Sequence, residues 1–393
     1  MPDAQGQFAV QDDEGTVGLF DSPGFEKDAT GLALSGGGYK AAAFHIGALI
    51  RLNELGVLRN ISRIASVSGG SIAAGYLGLH WNDLAFGADD VATNFGRAIV
   101  EPLHDFLTEV NLDVAQGILG LLLPFRSGAD GVAKGYDKHL FKGASLQSLP
   151  TPGPGRPRFV LLATNYELNS LWRFSKPYAA DYRVGRIDQP TFPLARIVAA
   201  SSAFPPFFCP LELDLAGQTV KPTPGADRNS GRFLKRALLA DGGIYDNMGL
   251  EPIWKRYGTL LVSNAGDAID EDEHPSNWAG LMLRIIGLMH RQAENNRQRP
   301  LMLLAKLGHR KVGYWPLRNF NDNYPKPSPV RPPDDDIRAA QGEEVRLWSL
   351  GLKAFARLAN HGYSLCDSSM RSYFDRLEPA PRLPFNRDGT FVR

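Results

Sequence analysis

Three short stretches of this chain carry residue types that could do chemistry together. Gly36-Gly37-Gly38-Tyr39-Lys40 offers consecutive backbone N–H groups, and a helix starting there would add partial positive charge. Such a loop suits an anionic group, either a phosphate or the oxyanion of a tetrahedral acyl intermediate. The plainer alternative is a turn that lets helix and strand pack closely. Ser66-Val67-Ser68-Gly69-Gly70 places a hydroxyl on a sharp turn, with the following N–H set to receive an oxyanion. Small residues two positions either side suit that crowded geometry, and Ser66 and Gly70 are small. Otherwise Ser68 or Ser71 simply caps a helix. Asp241-Gly242-Gly243 follows the apolar run Ala237 to Ala240. It reads either as an ordinary Asp-Gly turn or as a strand-end carboxylate able to take a proton from a nearby hydroxyl. Partial desolvation would raise its pKa and make it a better base.

Elements with the right periodicity flank all three. Gly31 to Ser35 is a short apolar strand ahead of the glycines, and a helix is predicted from about Lys40 to Leu55, with Gly56 as its stop. A strand over Ile61 to Val67 and a helix from Ser71 repeat the unit. Strand, turn and helix at this spacing predict an α/β fold, a three-layer sandwich around a mainly parallel sheet. Asp241 is expected where the C-terminal ends of those parallel strands gather. Residues 83–145 read as a helical insertion. Further strands are predicted at Phe159 to Thr164, Leu171 to Phe174, Ala237 to Ala240 and Thr259 to Val262. Helices are predicted at Pro193 to Ser201, Trp278 to Asn295 and Asp336 to Leu358, the last ended by Asn360 and Gly362. Six prolines from Pro316 to Pro333 mark an irregular segment. The expected division is a polar lead-in over 1–28, a catalytic part over 29–273 and a C-terminal extension over 274–393 packed on it.

The chain has 393 residues, with 43 Lys+Arg against 42 Asp+Glu. A surface built wholly for nucleic acid would show a basic excess, so no nucleic-acid partner is expected. Hydrophobic residues at 43% and charged ones at 22% are ordinary globular usage. Cys209 and Cys366 are too far apart for a disulfide framework or a metal-ligand spacing. The acidic N-terminus, with no apolar run, does not read as a secretory signal peptide. Ile118 to Phe125 is far too short to span a bilayer and reads as core or an interfacial patch. A cytoplasmic location is the expectation, with peripheral contact at membranes or export without a cleaved signal as alternatives.

Taken together, the three motifs resemble the patatin-like phospholipases, lipid acyl hydrolases that use a Ser–Asp dyad. The resemblance covers about residues 30–265. It includes Ala200-Ser201-Ser202-Ala203-Phe204-Pro205-Pro206-Phe207, similar to the family's segment lining the substrate site, and Asn247 in the loop after Asp241. It implies Ser68 as nucleophile, Asp241 as base, and an oxyanion hole in the Gly36 to Gly38 loop, built by the Gly37 and Gly38 amides with Gly69. Lys40 stands where the family has Arg or Lys. No metal or cofactor is implied, and the substrate would be a phospholipid or another acyl ester. Two positions depart from the family's pattern: Ser66 and Ala41 stand where it usually or often has Gly.

Other readings compete. Gly36-x-Gly38-x-x-Ala41 matches a dinucleotide fingerprint and would suit an NAD-dependent oxidoreductase. The second strand, however, ends in Ser66-Val67-Ser68 without the acid such a site wants, and Glu54 falls on the first helix. No Gly-Lys-Ser/Thr follows the glycines, which excludes a Walker loop. A triad would draw its base from His274, His290, His309 or His361, none in a signature loop, while His45 reads as a packing histidine. A catalytically silent lipid-binding module is a third alternative. Asp334-Asp335-Asp336 reads as a helix start rather than a cation site.

The near-neutral total is a cancellation. Residues 1–28 carry one basic and seven acidic side chains, residues 29–273 carry 23 and 24, and residues 274–393 carry 19 and 11. A basic C-terminal part leaning on anionic head groups is the expectation drawn from this.

Overall fold

The structure, a computed structural model, describes residues 10–12, 15–17, 24–112, 128–205, 208, 210–266 and 277–392. The apolar stretch Ile118 to Phe125 therefore lies outside the described residues, as do Pro206, Phe207, Cys209 and His274. In chain order the strands are β1 Val10–Asp12, β2 Gly15–Val17, β3 Glu26–Leu34, β4 Arg63–Val67, β5 Arg158–Asn165, β6 Ser170–Phe174, β7 Tyr178–Asp181, β8 Gly185–Asp188, β9 Leu211–Asp214, β10 Val220–Lys221, β11 Arg236–Asp241, β12 Tyr257–Asn264 and β13 Lys311–Pro316. β1 and β2 form a separate hairpin. The rest make one sheet ordered β10-β8-β7-β6-β5-β4-β3-β12-β13, with β11 and β9 branching from β5.

The stretch from β5 to β13 is parallel throughout, whereas β6 to β11 pair antiparallel. The parallel strands are apolar on both faces because both are covered. Leu32, Leu34, Ile64 and Leu261 point into one core, while Ala33, Ala65, Leu260 and Val262 point into the other. This two-residue alternation divides the core into layers.

The helices are α1 Gly38–Glu54, α2 Gly69–Leu79, α3 Glu101–Glu109, α4 Gly128–Tyr136, α5 Leu194–Ser201, α6 Gly243–Asp246, α7 Trp278–Lys306, α8 Asp334–Gln341 and α9 Leu352–Phe374. On one face α1 packs against α2 and α9. The α1–α9 crossing is close: a side-chain carbon on Gly47 would lie 1.7 Å from the Ala359 carbonyl oxygen, and one on Gly362 would lie 2.0 Å from that of Phe44. Arg51 of α1 seals the crossing with a buried ion pair to Asp367, 2.8 Å away. On the opposite face Leu301 of α7 joins the second core. In the insertion, Phe106 of α3 packs in tilted contact with Tyr136 of α4 and with Tyr39 of α1.

Several sequence expectations change. The helix predicted over Asp336 to Leu358 is two helices, α8 and α9, separated by an irregular segment over 342–351. Asn360 and Gly362 lie inside α9 rather than ending it, because Gly362 is where α1 approaches; packing overrides propensity there. α7 continues past Asn295 to Lys306 because Leu301 and Leu304 still have core to bury. Strand β13 and the antiparallel strands β7 to β10 had no counterpart in the sequence reading. Residues 274–393 supply the sheet's edge strand, β13, and the helix that covers α1.

Candidate active site

Ser68 follows directly on β4, and α2 begins at the next residue. Its backbone is held at φ 49°, a conformation L-residues with side chains avoid. Packing enforces the strain. A side-chain carbon on Gly69 would stand 1.9 Å from the Gly38 carbonyl oxygen, so the elbow rests on the glycine loop backbone to backbone. From below, the Ser68 N–H donates to Ser201 Oγ (2.9 Å), and Ser201 in turn donates to the Leu162 carbonyl (2.6 Å). Ser71 Oγ bonds both Ser201 (2.9 Å) and Ser66 (3.0 Å). Ser66 thus joins a buried hydroxyl network.

Asp241 arrives from the opposite direction. β4 follows β5 as far as Leu162, and β11 pairs antiparallel with β5 from Asn165 back to Ala163. Since β6 occupies the other edge of β5, β4 and β11 share one edge and meet end to end. That head-on meeting puts Ser68 and Asp241 together. Asp241 thus ends an antiparallel strand, β11, whose C-terminal end lies against the C-terminal end of the parallel strand β4.

The carboxylate is buried, and desolvation pushes its pKa up to about 7. The Gly243 N–H, donating to Oδ1 at 2.7 Å, and the nearby Ser68 hydroxyl pull it partly back. Thr164 Oγ1 donates to the Asp241 carbonyl (2.8 Å), and the Asp241 N–H to that of Ala203 (2.9 Å).

Within the glycine loop, Gly37 and Gly38 adopt φ 133° and 59°. Among the described residues neither amide has a protein acceptor, and nor does that of Gly69. Gly36 differs. Its N–H donates to the Asn247 carbonyl (2.9 Å), so it has no amide to lend an oxyanion, correcting its place in that set. Asn247 Oδ1 lies where a Gly36 side chain would begin, 2.5 Å from that point, which explains both the glycine and the asparagine. Lys40 is buried, with Nζ donating to the Gln341 carbonyl at the end of α8 (3.2 Å). The segment over 342–351 crosses the start of α1, where the Tyr39 N–H donates to the Arg346 carbonyl (2.8 Å). A carbonyl oxygen thus already sits at the helix end where a dinucleotide pyrophosphate would bind.

Asp241 has no histidine partner among the described residues. His45 is neutral, its pKa lowered to about 4 by burial, with Nε2 donating to the Ser35 carbonyl (2.9 Å) and Nδ1 accepting from Ser263 (2.7 Å). It fixes the residue just before the glycine loop. His361 is likewise buried, donating to Leu317 O (2.8 Å). His290 stands edge-on to Phe204. Asp336 ion-pairs with Arg357 and Arg387.

Ser201, Arg346 and Tyr136 were not singled out by function from sequence. Tyr136 is buried beside Asp241 and Ser202, and burial raises its pKa. Ser201 could have been found, because helix α5 ends there within a stretch already noted. Arg346 and Tyr136 lie in segments without a motif.

A serine on a strand-to-helix elbow and a desolvated carboxylate meet in a mixed α/β fold with a central, mostly parallel sheet and helices on both sides. The chain belongs to the patatin-like phospholipase family, whose model matches residues 32–254. Its fold is similar to that of human GIVD cytosolic phospholipase A2, with a TM-score of 0.53 at 13% identity, over 89% of this chain and 61% of that one. The chain thus spans about three-fifths of that protein's length. VipD from Legionella pneumophila aligns over 96% of this chain and 70% of its own at 14% identity, but with a TM-score of only 0.37. No curated protein sequence matches the chain.

Proposed function

We propose that this protein hydrolyses fatty-acyl esters of phospholipids or lysophospholipids through an acyl-enzyme on Ser68. The observation that carries this is the end-to-end meeting of β4 and β11, which brings the strained Ser68 elbow to the buried Asp241 carboxylate, whose pKa burial raises to about 7. A base poised near neutrality can take the hydroxyl proton while Ser68 Oγ attacks the ester carbonyl. The Gly37, Gly38 and Gly69 amides receive the oxyanion, each such donor being worth about 2.7–4 kcal/mol in comparable sites. Asp241 passes its proton to the departing alcohol. It then deprotonates a water that attacks the acyl-serine, and the fatty acid leaves as Ser68 recovers its proton. The scheme needs no metal. Lys40 and Asn247 support the loop rather than touch substrate.

A fluorophosphonate probe should phosphonylate Ser68, read as a mass shift on the peptide that contains it. Lipid mass spectrometry after incubation with mixed phospholipids should show free fatty acid. A Ser68→Ala protein that is still labelled and still releases fatty acid overturns the assignment.

A further inference from the structure

Helix α7 divides into two unlike halves. The C-terminal half is fixed to the site: Glu294 accepts from Asn264 at the end of β12 (2.5 Å), and Arg297 donates to Glu251 and to the Tyr245 carbonyl (2.9 Å each). Tyr245 belongs to α6, which begins two residues after Asp241. The N-terminal half instead presents an apolar face to solvent. At about 100° per residue, Trp278, Leu281, Met282, Ile285, Ile286 and Met289 fall within an arc of about 140°. All six face water, from 37% to 76% exposed. A contiguous apolar stripe of this kind marks an interaction surface.

Charge selects the partner. No carboxylate occurs from Asn277 to Ala293, while Arg284 and Arg291 fall two turns apart along one margin of the stripe, Arg291 also lying 3.9 Å from Glu294. Residues 274–393 as a whole carry 19 basic against 11 acidic side chains. An apolar face, a basic margin and a terminal Trp fit an anionic bilayer interface. No helix among the described residues is long and apolar enough to cross a membrane, so this one would lie in the interface plane. The stripe also adjoins the dyad: His290 packs on Phe204, and the preceding residue, Ala203, accepts the Asp241 N–H.

We propose that residues 278–291 of α7 dock the protein on anionic phospholipid bilayers, with Ile285 and Met289 among the acyl chains. The inference rests on the acyl-ester reading only for what happens after docking. The test uses the full chain carrying Ser68→Ala, so that vesicles stay intact, in flotation with phosphatidylcholine vesicles with or without phosphatidylglycerol. Binding is expected to need the anionic lipid and to weaken with salt. Ile285→Asp with Met289→Asp should lower the partition coefficient about tenfold or more. On a wild-type Ser68 background the same pair should leave turnover of a soluble nitrophenyl butyrate and the melting temperature unchanged, which shows that it folds. Unaltered flotation of the double variant overturns the proposal. So does a wild-type dimer that the substitutions split into monomers without vesicle binding. Vesicle binding without hydrolysis of any ester leaves docking standing and removes the acyl-hydrolase reading; hydrolysis of the soluble ester without binding does the reverse.

Discussion

Ser68 ends a parallel strand with partners on both edges, whereas Asp241 ends an antiparallel strand that enters the sheet sideways and meets β4 end to end. The serine arm is held by backbone strain, close backbone packing and a buried hydroxyl network. The acid arm is set electrically, by desolvation that lifts its pKa toward neutrality. One arm solves a problem of position and the other a problem of proton affinity. Replacing either should therefore fail in a different way.

The largest effect is expected at Ser68 and Asp241, the proposed dyad. Ser68→Ala should lower kcat on a nitrophenyl ester by about four orders of magnitude or more, and Asp241→Asn by about as much. If the two act as a unit, the double variant is no worse than Ser68→Ala alone; a further large loss would show that each works independently.

Next comes pH. Asp241 must be ionised to act as base, so kcat/KM should fall about a hundredfold between pH 8 and pH 5, with a midpoint near 7. Stability runs the other way. With its folded pKa raised above the unfolded value, Asp241 favours the folded state below about pH 4, and that contribution is lost as pH rises through 7. Asp241→Asn should accordingly melt higher than wild type at pH 8 and alongside it at low pH. A lower melting temperature at pH 8 would contradict the desolvated carboxylate.

Ser201→Ala tests the serine arm alone. It strips the Ser68 N–H of its acceptor and should lower kcat about tenfold, with KM and the pH midpoint unmoved. A shifted midpoint would mean that the two arms are not separable. The smallest effect belongs to His290→Ala, expected to leave kcat within about threefold. A collapse there would put a histidine between the arms.

The two arms also differed in how readable they were. Ser68 was visible because its elbow is local: a small residue, a serine and two glycines at fixed offsets after an apolar run. Asp241 was visible as a carboxylate after a strand, but its direction of approach was not, since β11 runs antiparallel only because Leu239, Ala240 and Asp241 pair with Asn165, Thr164 and Ala163. No local pattern encodes a partner so far back in the chain. The parallel strands β3, β4, β5 and β12 announced themselves through near-continuous apolar runs, whereas β13, the parallel strand at the sheet's edge, did not. The break at 342–351 did not, because what ends α8 and restarts α9 is a carbonyl drawn to Tyr39 and the Leu350 N–H donating to the Leu107 carbonyl. Gly362 misled for the same reason: a residue that stops an isolated helix is here the one that lets α1 come close.

That crossing has a consequence for how the chain comes off the ribosome. Arg51 and its partner Asp367 are 316 residues apart. At about 5–20 residues per second, roughly 15–60 s of elongation separate them. Throughout that interval the nascent chain already holds Ser68 and, later, Asp241, yet the helix behind the glycine loop has no α9 to bury its face. Arg51 stays hydrated until Asp367 emerges. Half-made chains thus carry Ser68 and Asp241 on an unfinished scaffold.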